Sequence, residues 1–132
     1  MPMTTSRQLR ILVSPCALFF LITLAGCAHS IAETNSRQRG IASWYGVRFQ
    51  GRKTANGERF DRHSFSAAHR SLPFGTRVEV RSITTGKIVV VRINDRGPVK
   101  PSRILDLSEA AAEALGMLDT GVAEIEFEVL PP

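Results

Sequence analysis

Apolar and polar positions alternate most cleanly over Val122 to Leu130. Ala123, Ile125, Phe127 and Val129 fall on one side, with Glu124, Glu126 and Glu128 on the other. This predicts a strand with one buried and one solvated face. Thr76 to Arg81 alternates in the same way. Thr84-Thr85-Gly86-Lys87 then predicts a hairpin into a second apolar run, Ile88 to Ile93. Within it Val89, Val91 and Ile93 share one side, and Val90 and Arg92 the other. Ile41 to Tyr45 predicts a short first strand with Trp44 and Tyr45 on opposite faces, one in the core and one exposed. Ile104 to Leu107 reads as a short buried segment.

The helical period is confined to Ser108–Gly116, where alanines favour helix and Gly116 stops it. Ser108 is the expected N-cap, or Asp106 caps with Glu109 three residues on. The small-residue stretch from Asp61 to Ser71 predicts a brief second helix capped by Asp61 or Ser64. Asp61, a small-residue segment, Gly75 and Val78-Glu79-Val80 are echoed by Asp106, the alanine helix, Gly121 and Glu124-Ile125-Glu126. Two similar halves of this kind suggest a pseudo-twofold β-barrel.

The N-terminus follows a different pattern. Arg7 and Arg10 precede an apolar run, Ile11 to Thr23, broken by Ser14 and Pro15. It is short for a membrane span and reads as a secretory signal. It ends in Leu24-Ala25-Gly26-Cys27, which resembles the bacterial lipoprotein box. The resemblance implies cleavage before Cys27 and lipidation of its sulfur. Acyl chains in pairs or more anchor a soluble domain stably. Ala28 after the cysteine, by resemblance to Gram-negative lipoproteins, implies sorting to the outer membrane, facing the periplasm. Residues 1–26 are thus the expected signal peptide and 27–40 the lipidated cysteine with a polar tether. Residues 41–132 are the expected folded domain. The tether could reach about 40 Å at about 3.3 Å per residue, and its His29 is expected to be solvated.

The chain has 132 residues, enough for one domain, and 17 Lys+Arg against 12 Asp+Glu. Without the first 26 residues the balance is 15 against 12, a mild excess that suits an anionic polymer such as cell-wall glycan. The basic residues are spread out, which argues against nucleic acid as a partner. Both cysteines, Cys16 and Cys27, precede the domain, so it contains no internal disulfide and no cysteine-ligated metal.

Two stretches carry candidate chemistry. Val47 to Asp61 is a glycine-punctuated basic loop with an Asn56-Gly57 turn and two carboxylates, Glu58 and Asp61, just past it. A loop of that length in a small domain is often functional. The run from Val89 to Ile93 ends in Asn94-Asp95-Arg96-Gly97-Pro98, where Pro98 stops the ladder. A rigid strand would there deliver Asp95 to an opening, which is how a catalytic carboxylate is held still. The residues alone equally allow Asn94 and Asp95 to hydrogen-bond the turn. His69 alone reads more readily as a packing residue than as a catalyst. A metal site from His63, His69 and Glu58 matches no ligand spacing.

Several motifs together resemble the rare lipoprotein A family. They are Ala42-Ser43-Trp44-Tyr45-Gly46, Gly51 to Asp61, Ala67 to Thr76, Val91 to Pro98 and Arg103 to Ser108. The resemblance implies a mainly β fold, a six-stranded double-psi β-barrel with one or two short helices, related to expansins. It implies endolytic peptidoglycan lytic transglycosylase activity on glycan strands stripped of stem peptides, without a cofactor. The family often adds a C-terminal glycan-binding domain, whereas this chain ends at Pro132 just after the last strand. A monomeric barrel acting without that domain is therefore expected.

Such an enzyme cleaves after N-acetylmuramic acid without adding water. One carboxyl gives its proton to the glycosidic oxygen, then takes one from the C6 hydroxyl as a 1,6-anhydro ring closes. Asp95 is the expected acid and base, with Glu58 and Asp61 brought near it and His69 orienting a carboxylate. Tyr45 would stack on a sugar or donate to the transition state. Arg52, Lys53 and Arg96 would hold the lactyl carboxylate of muramic acid. Asp106 would fix the barrel or cap the helix. The rival expectation is a non-catalytic, expansin-like module that binds glycan in the same groove.

Overall fold

The computed structural model describes residues 36–132. The signal peptide, Cys27 and most of the tether lie outside the described residues.

Among the described residues, six strands and one α-helix follow in chain order. They are β1 (Gln38–Trp44), β2 (Ser66–Ala68), β3 (Arg77–Ser82), β4 (Ile88–Asp95), β5 (Arg103–Leu107), α1 (Glu109–Leu115) and β6 (Val122–Val129). A single 3-10 turn, Val47–Phe49, follows β1. The strands close into a barrel in the order β1-β5-β2-β4-β3-β6. β1 runs parallel to β5 and β2 parallel to β4, while the other neighbours are antiparallel. Exchanging β1, β2 and β3 for β4, β5 and β6 maps this set of pairings onto itself. The pseudo-twofold expected from the sequence echo is thus present as a symmetry of strand pairing. This arrangement is the double-psi β-barrel.

The alternating strands build the core as expected. Val78 faces Val91, and Val80 faces Val89 on one side and Phe127 on the other. Ile93, Leu105, Leu107, Ile125 and Phe127 are almost wholly buried among them. A side chain such as Phe127 contributes about 1.5–3 kcal/mol by leaving water. The glutamates of β6 lie outside and pair with arginines, Glu124 with Arg39 of β1, and Glu126 with Arg81 of β3 and with Arg37 just ahead of β1. α1 covers the barrel with Ala111, Ala112 and Leu115. Ser108 caps it, its Oγ accepting from the Ala111 N–H, and Gly116 ends it in the left-handed region at φ 71°. Asp106 does not cap; it belongs to β5.

Two expectations are corrected. The stretch from Asp61 to Ser71 contains no helix: Ser66–Ala68 is a strand, wholly buried between β4 and β5. Small side chains serve there because both faces of the strand are buried. Asp61 and Ser64 make a tight turn ahead of it, with the Ser64 N–H donating to the Asp61 carbonyl at 3.1 Å. The first strand also starts at Gln38, inside the expected tether, because Gln38 and Arg39 pair with Phe127 and Glu126 of β6.

Candidate active site

Two β-bulges re-aim the side chains that matter. Ala67 pairs with Ile93 but Ala68 pairs with Asp95, so Asn94 is one extra residue in β4. Strict alternation would turn Asp95 into the core beside Val91 and Ile93. The bulge instead buries Asn94 and turns Asp95 out into a cleft. In β5, Arg103 pairs with Ile41 and Leu105 with Ala42, so Ile104 is the extra residue. Arg103 and Asp106, three apart and opposed in a regular strand, thereby line the same cleft.

The Asp95 carboxylate is held from three directions. Its Oδ1 accepts from the Ala55 N–H at 2.9 Å and the Arg96 N–H at 2.8 Å. Its Oδ2 accepts from the Tyr45 hydroxyl at 3.0 Å. Two donors fill the lone pairs of Oδ1, whereas Oδ2 keeps one free. Oδ2 is therefore the oxygen left able to accept a further hydrogen bond. The Tyr45 hydroxyl is pushed strongly upward in pKa by its own burial, then by the charge of Asp95 and the hydrogen bond to it. It stays a neutral donor. Its ring packs at 5.3 Å from Phe49 and edge-on at 5.1 Å from Phe60, which fixes the hydroxyl.

The cleft holds about 400 Å³. Its wall is apolar at Tyr45, Phe49 and Phe60 and cationic at Arg52, Lys53, Arg96 and Arg103, with Asp95 and Asp106 as its carboxylates. A second hollow of about 350 Å³ shares Tyr45, Phe49, Arg103 and Asp106 with it. Trp44 lines that second hollow while also packing against the core. Arg52 sits over Phe49, with 5.5 Å from guanidinium carbon to ring centre. Arg96 lies over Phe74 at 3.9 Å and donates to the His69 and Asp95 carbonyls. Together these surfaces suit a sugar chain with anionic groups: apolar planes for sugar faces, cations for the charge.

The other sequence candidates lie around this cleft without lining it. The basic loop folds back on itself, with Lys53 bridged to Arg59 and the turn at Asn56-Gly57 as expected. The same fold brings Ala55 to Asp95. Glu58, on the returning arm, forms a two-pronged ion pair with Arg92 at 2.8 and 2.7 Å. The Arg92 fork, then hydrogen bonds from Asn56 and Asn94, bring the Glu58 carboxyl down to about 2. Glu58 is thus ionised at neutral pH, unsuited to start as a proton donor, and tied to Asp95 through Asn94. Asp61 accepts from the His63 N–H and the Ser64 hydroxyl, both at 3.0 Å, and is held below the ordinary carboxylate range chiefly by the first.

His69 does not orient a carboxylate with its ring. Its Nδ1 accepts from the Ser71 and Leu72 N–H groups at 3.1 and 3.0 Å, and the ring lies edge-on to Phe127. Burial, then Arg70 and Arg96, lower its pKa. It touches Asp95 through its backbone, donating its N–H to the Asp95 carbonyl at 3.2 Å. No three His, Cys, Asp or Glu side chains converge on a metal position among the described residues. His63 instead accepts from Arg62 at 3.3 Å.

Sequence reasoning missed Phe49, Phe60, Arg103 and the cleft position of Asp106. No signal in the chain announced the bulge at Ile104. The aromatic pair could have been found, since both lie near the ends of the basic loop.

Known proteins resemble this chain at the level of fold and of sequence. An expansin from Clavibacter michiganensis superposes with a TM-score of 0.59 at 24% identity, covering 73% of this chain and 51% of its own. A protein of Synechocystis sp. named probable endolytic peptidoglycan transglycosylase RlpA is 55% identical over 91 residues, 69% of this chain and 28% of its own length. The endolytic peptidoglycan transglycosylase RlpA of Neisseria meningitidis serogroup A is 50% identical over 95 residues, 72% of this chain and 40% of its own. The chain therefore spans well under half the length of these curated relatives. Residues 37–127 match the family described as Lytic transglycolase, and the chain belongs to that family.

Proposed function

We propose that this protein is an endolytic peptidoglycan lytic transglycosylase, cutting between N-acetylmuramic acid and N-acetylglucosamine without water. The observation that carries this reading is Asp95, a cleft-lining residue fixed at a bulge, with one carboxylate oxygen saturated by backbone N–H groups and the other bonded by the Tyr45 hydroxyl alone. From Oδ2 the protonated acid gives its proton to the glycosidic oxygen as the bond to C1 of muramic acid breaks. The carboxylate left behind then takes the proton of the C6 hydroxyl, whose oxygen bonds to C1 and closes the 1,6-anhydro ring. The acid is regenerated and no second carboxyl takes part in the transfer. The Tyr45 hydroxyl stays on Oδ2 through both steps and keeps it aimed.

The aromatic wall takes sugar faces, and Arg52, Lys53 and Arg96 supply positive charge that draws anionic strands, freed of stem peptides, into the cleft. Lipidation at Cys27 would hold the barrel at the outer membrane, facing the wall from the periplasm. The names of the relatives support the reaction class, and their greater length leaves room for functions this barrel does not carry.

The test is to incubate the protein with naked glycan strands in isotopically labelled water and weigh the products. Ends in 1,6-anhydromuramic acid without label support the proposal. Labelled reducing ends mean a hydrolase. Strands bound but uncut mean a non-catalytic, expansin-like glycan-binding module.

A further inference from the structure

Arg103 stands where the two hollows share a wall. It differs from the other arginines around the cleft. Arg92 is consumed by Glu58, and Arg70 by the carbonyls of Pro98, Lys100 and Arg103. Arg96 serves two carbonyls and a phenyl ring, and Arg48 and Arg52 are exposed beside Phe49. Arg103 is the first residue of β5, with its side chain 26% exposed. Its ionic partner among the described residues is Asp106, at 3.4 Å from Nε to Oδ1. Asp106 is itself fixed by the Ser43 hydroxyl, which donates to that same Oδ1 at 2.6 Å. The buried Nε lacks a hydrogen bond of its own. So the inner edge of the guanidinium is steered by a rigid carboxylate, while the group as a whole lines both hollows.

A pre-aimed planar cation on an otherwise sugar-like wall is a reader of carboxylate. Guanidinium grips a carboxylate with two parallel hydrogen bonds, which a flexible surface lysine does not reproduce. The cleft wall also carries four cations against two carboxylates, so it favours an incoming anion. On a glycan strand that anion is the lactyl group of muramic acid. It is a free carboxylate where the stem peptide has been removed and a neutral amide where the peptide remains. We infer that Arg103, oriented by Asp106, is the specificity-determining residue that distinguishes free lactyl carboxylate from lactyl amide. This rests on the cleft being a peptidoglycan site.

The test compares two naked glycan preparations, one native and one with its lactyl carboxylates converted to carboxamides, using the full chain. Wild type should cut the native strands faster by about tenfold or more, the usual worth of hydrogen bonds to a charged group. Arg103→Gln should slow cleavage of the native strands most and bring the ratio within about twofold of unity. Arg103→Lys, with charge but no fork, should give an intermediate ratio. Asp106→Asn should also lower it, because the guanidinium loses its guide. A merely structural role would depress both substrates alike and leave the ratio unchanged. That result in a folded Arg103→Gln, checked by its melting curve, overturns the inference, as does a wild type that treats both strands equally. A wild type that neither binds nor cuts either preparation overturns the glycan reading itself, and this inference with it.

Discussion

Asp95→Asn separates chemistry from architecture at this site. The amide oxygen of asparagine can take the place of Oδ1 and still accept from Ala55 and Arg96, the contacts at 2.9 and 2.8 Å. The amide nitrogen then faces Tyr45, whose hydroxyl turns from donor to acceptor across the 3.0 Å contact. No buried group loses its partner, so the change in stability should stay within about 1 kcal/mol, the net worth of one hydrogen bond. Proton transfer is another matter. An amide neither delivers a proton at neutral pH nor retrieves one, and both steps of the proposed reaction need that. Cleavage of naked glycan should fall by at least about 10²-fold, the lower range for a general acid or base. Binding of the strands should persist, because the aromatic and cationic walls are unchanged. Product mass spectrometry measures the first quantity, co-sedimentation with insoluble glycan the second, and a thermal melt the third. A folded Asp95→Asn that cuts as fast as wild type refutes the assignment of Asp95. Loss of binding together with cleavage would refute the claim that the amide preserves the cleft.

Other consequences follow from the same geometry. Phe127→Asp puts a charge at a residue 1% exposed and should unfold the domain, at a cost of several kcal/mol; Glu126→Lys, which exchanges the partly exposed pairs to Arg37 and Arg81 for like-charge contacts, should leave the domain folded and cost about 1 kcal/mol in a denaturant titration. His69 has a folded pKa below its ordinary 6.5, so the unfolded chain binds its proton first, and stability is lost as pH falls below about 6.5. His69→Asn, whose side-chain oxygen can still accept from Ser71 and Leu72, should show a smaller drop in melting temperature between pH 8 and pH 5 than wild type; an equal drop assigns the effect elsewhere. Cys27→Ser should leave the protein soluble or unprocessed on detergent-free fractionation, and a processed form in the membrane pellet would refute the lipid anchor.

The barrel was legible because its strands bury one face each. Val78, Val80, Val89, Val91, Ile125 and Phe127 declare themselves by period alone, and they are the core. β2 was not legible, because a wholly buried three-residue strand of small side chains has no second face to alternate with. The site was legible in part. Asp95 was found because its strand ends in turn residues, but that pattern hides the extra residue at Asn94. Bulges are settled by pairing between distant strands, β2 with β4 and β1 with β5, and no local period records them. Arg103 and Asp106 stayed hidden for that reason. Glu58 and Asp61 were found as loop carboxylates, yet sequence could not say that Arg92 and a turn at His63 would engage them.

The symmetry of the barrel explains where the cleft is. The twofold exchange that maps β1 onto β4 also makes their C-terminal ends equivalent positions. Tyr45 follows one of those ends and Asp95 forms the other, and the two side chains meet at 3.0 Å. The first half adds Ala55 from the loop after β1, and the second adds Arg96 from the turn after β4. Neither half contains a complete environment for the carboxyl group. The Asp95 carboxylate is thus placed by both halves at once, and the parallel pairing of β2 with β4, which carries the bulge at Asn94, is what turns it into the cleft.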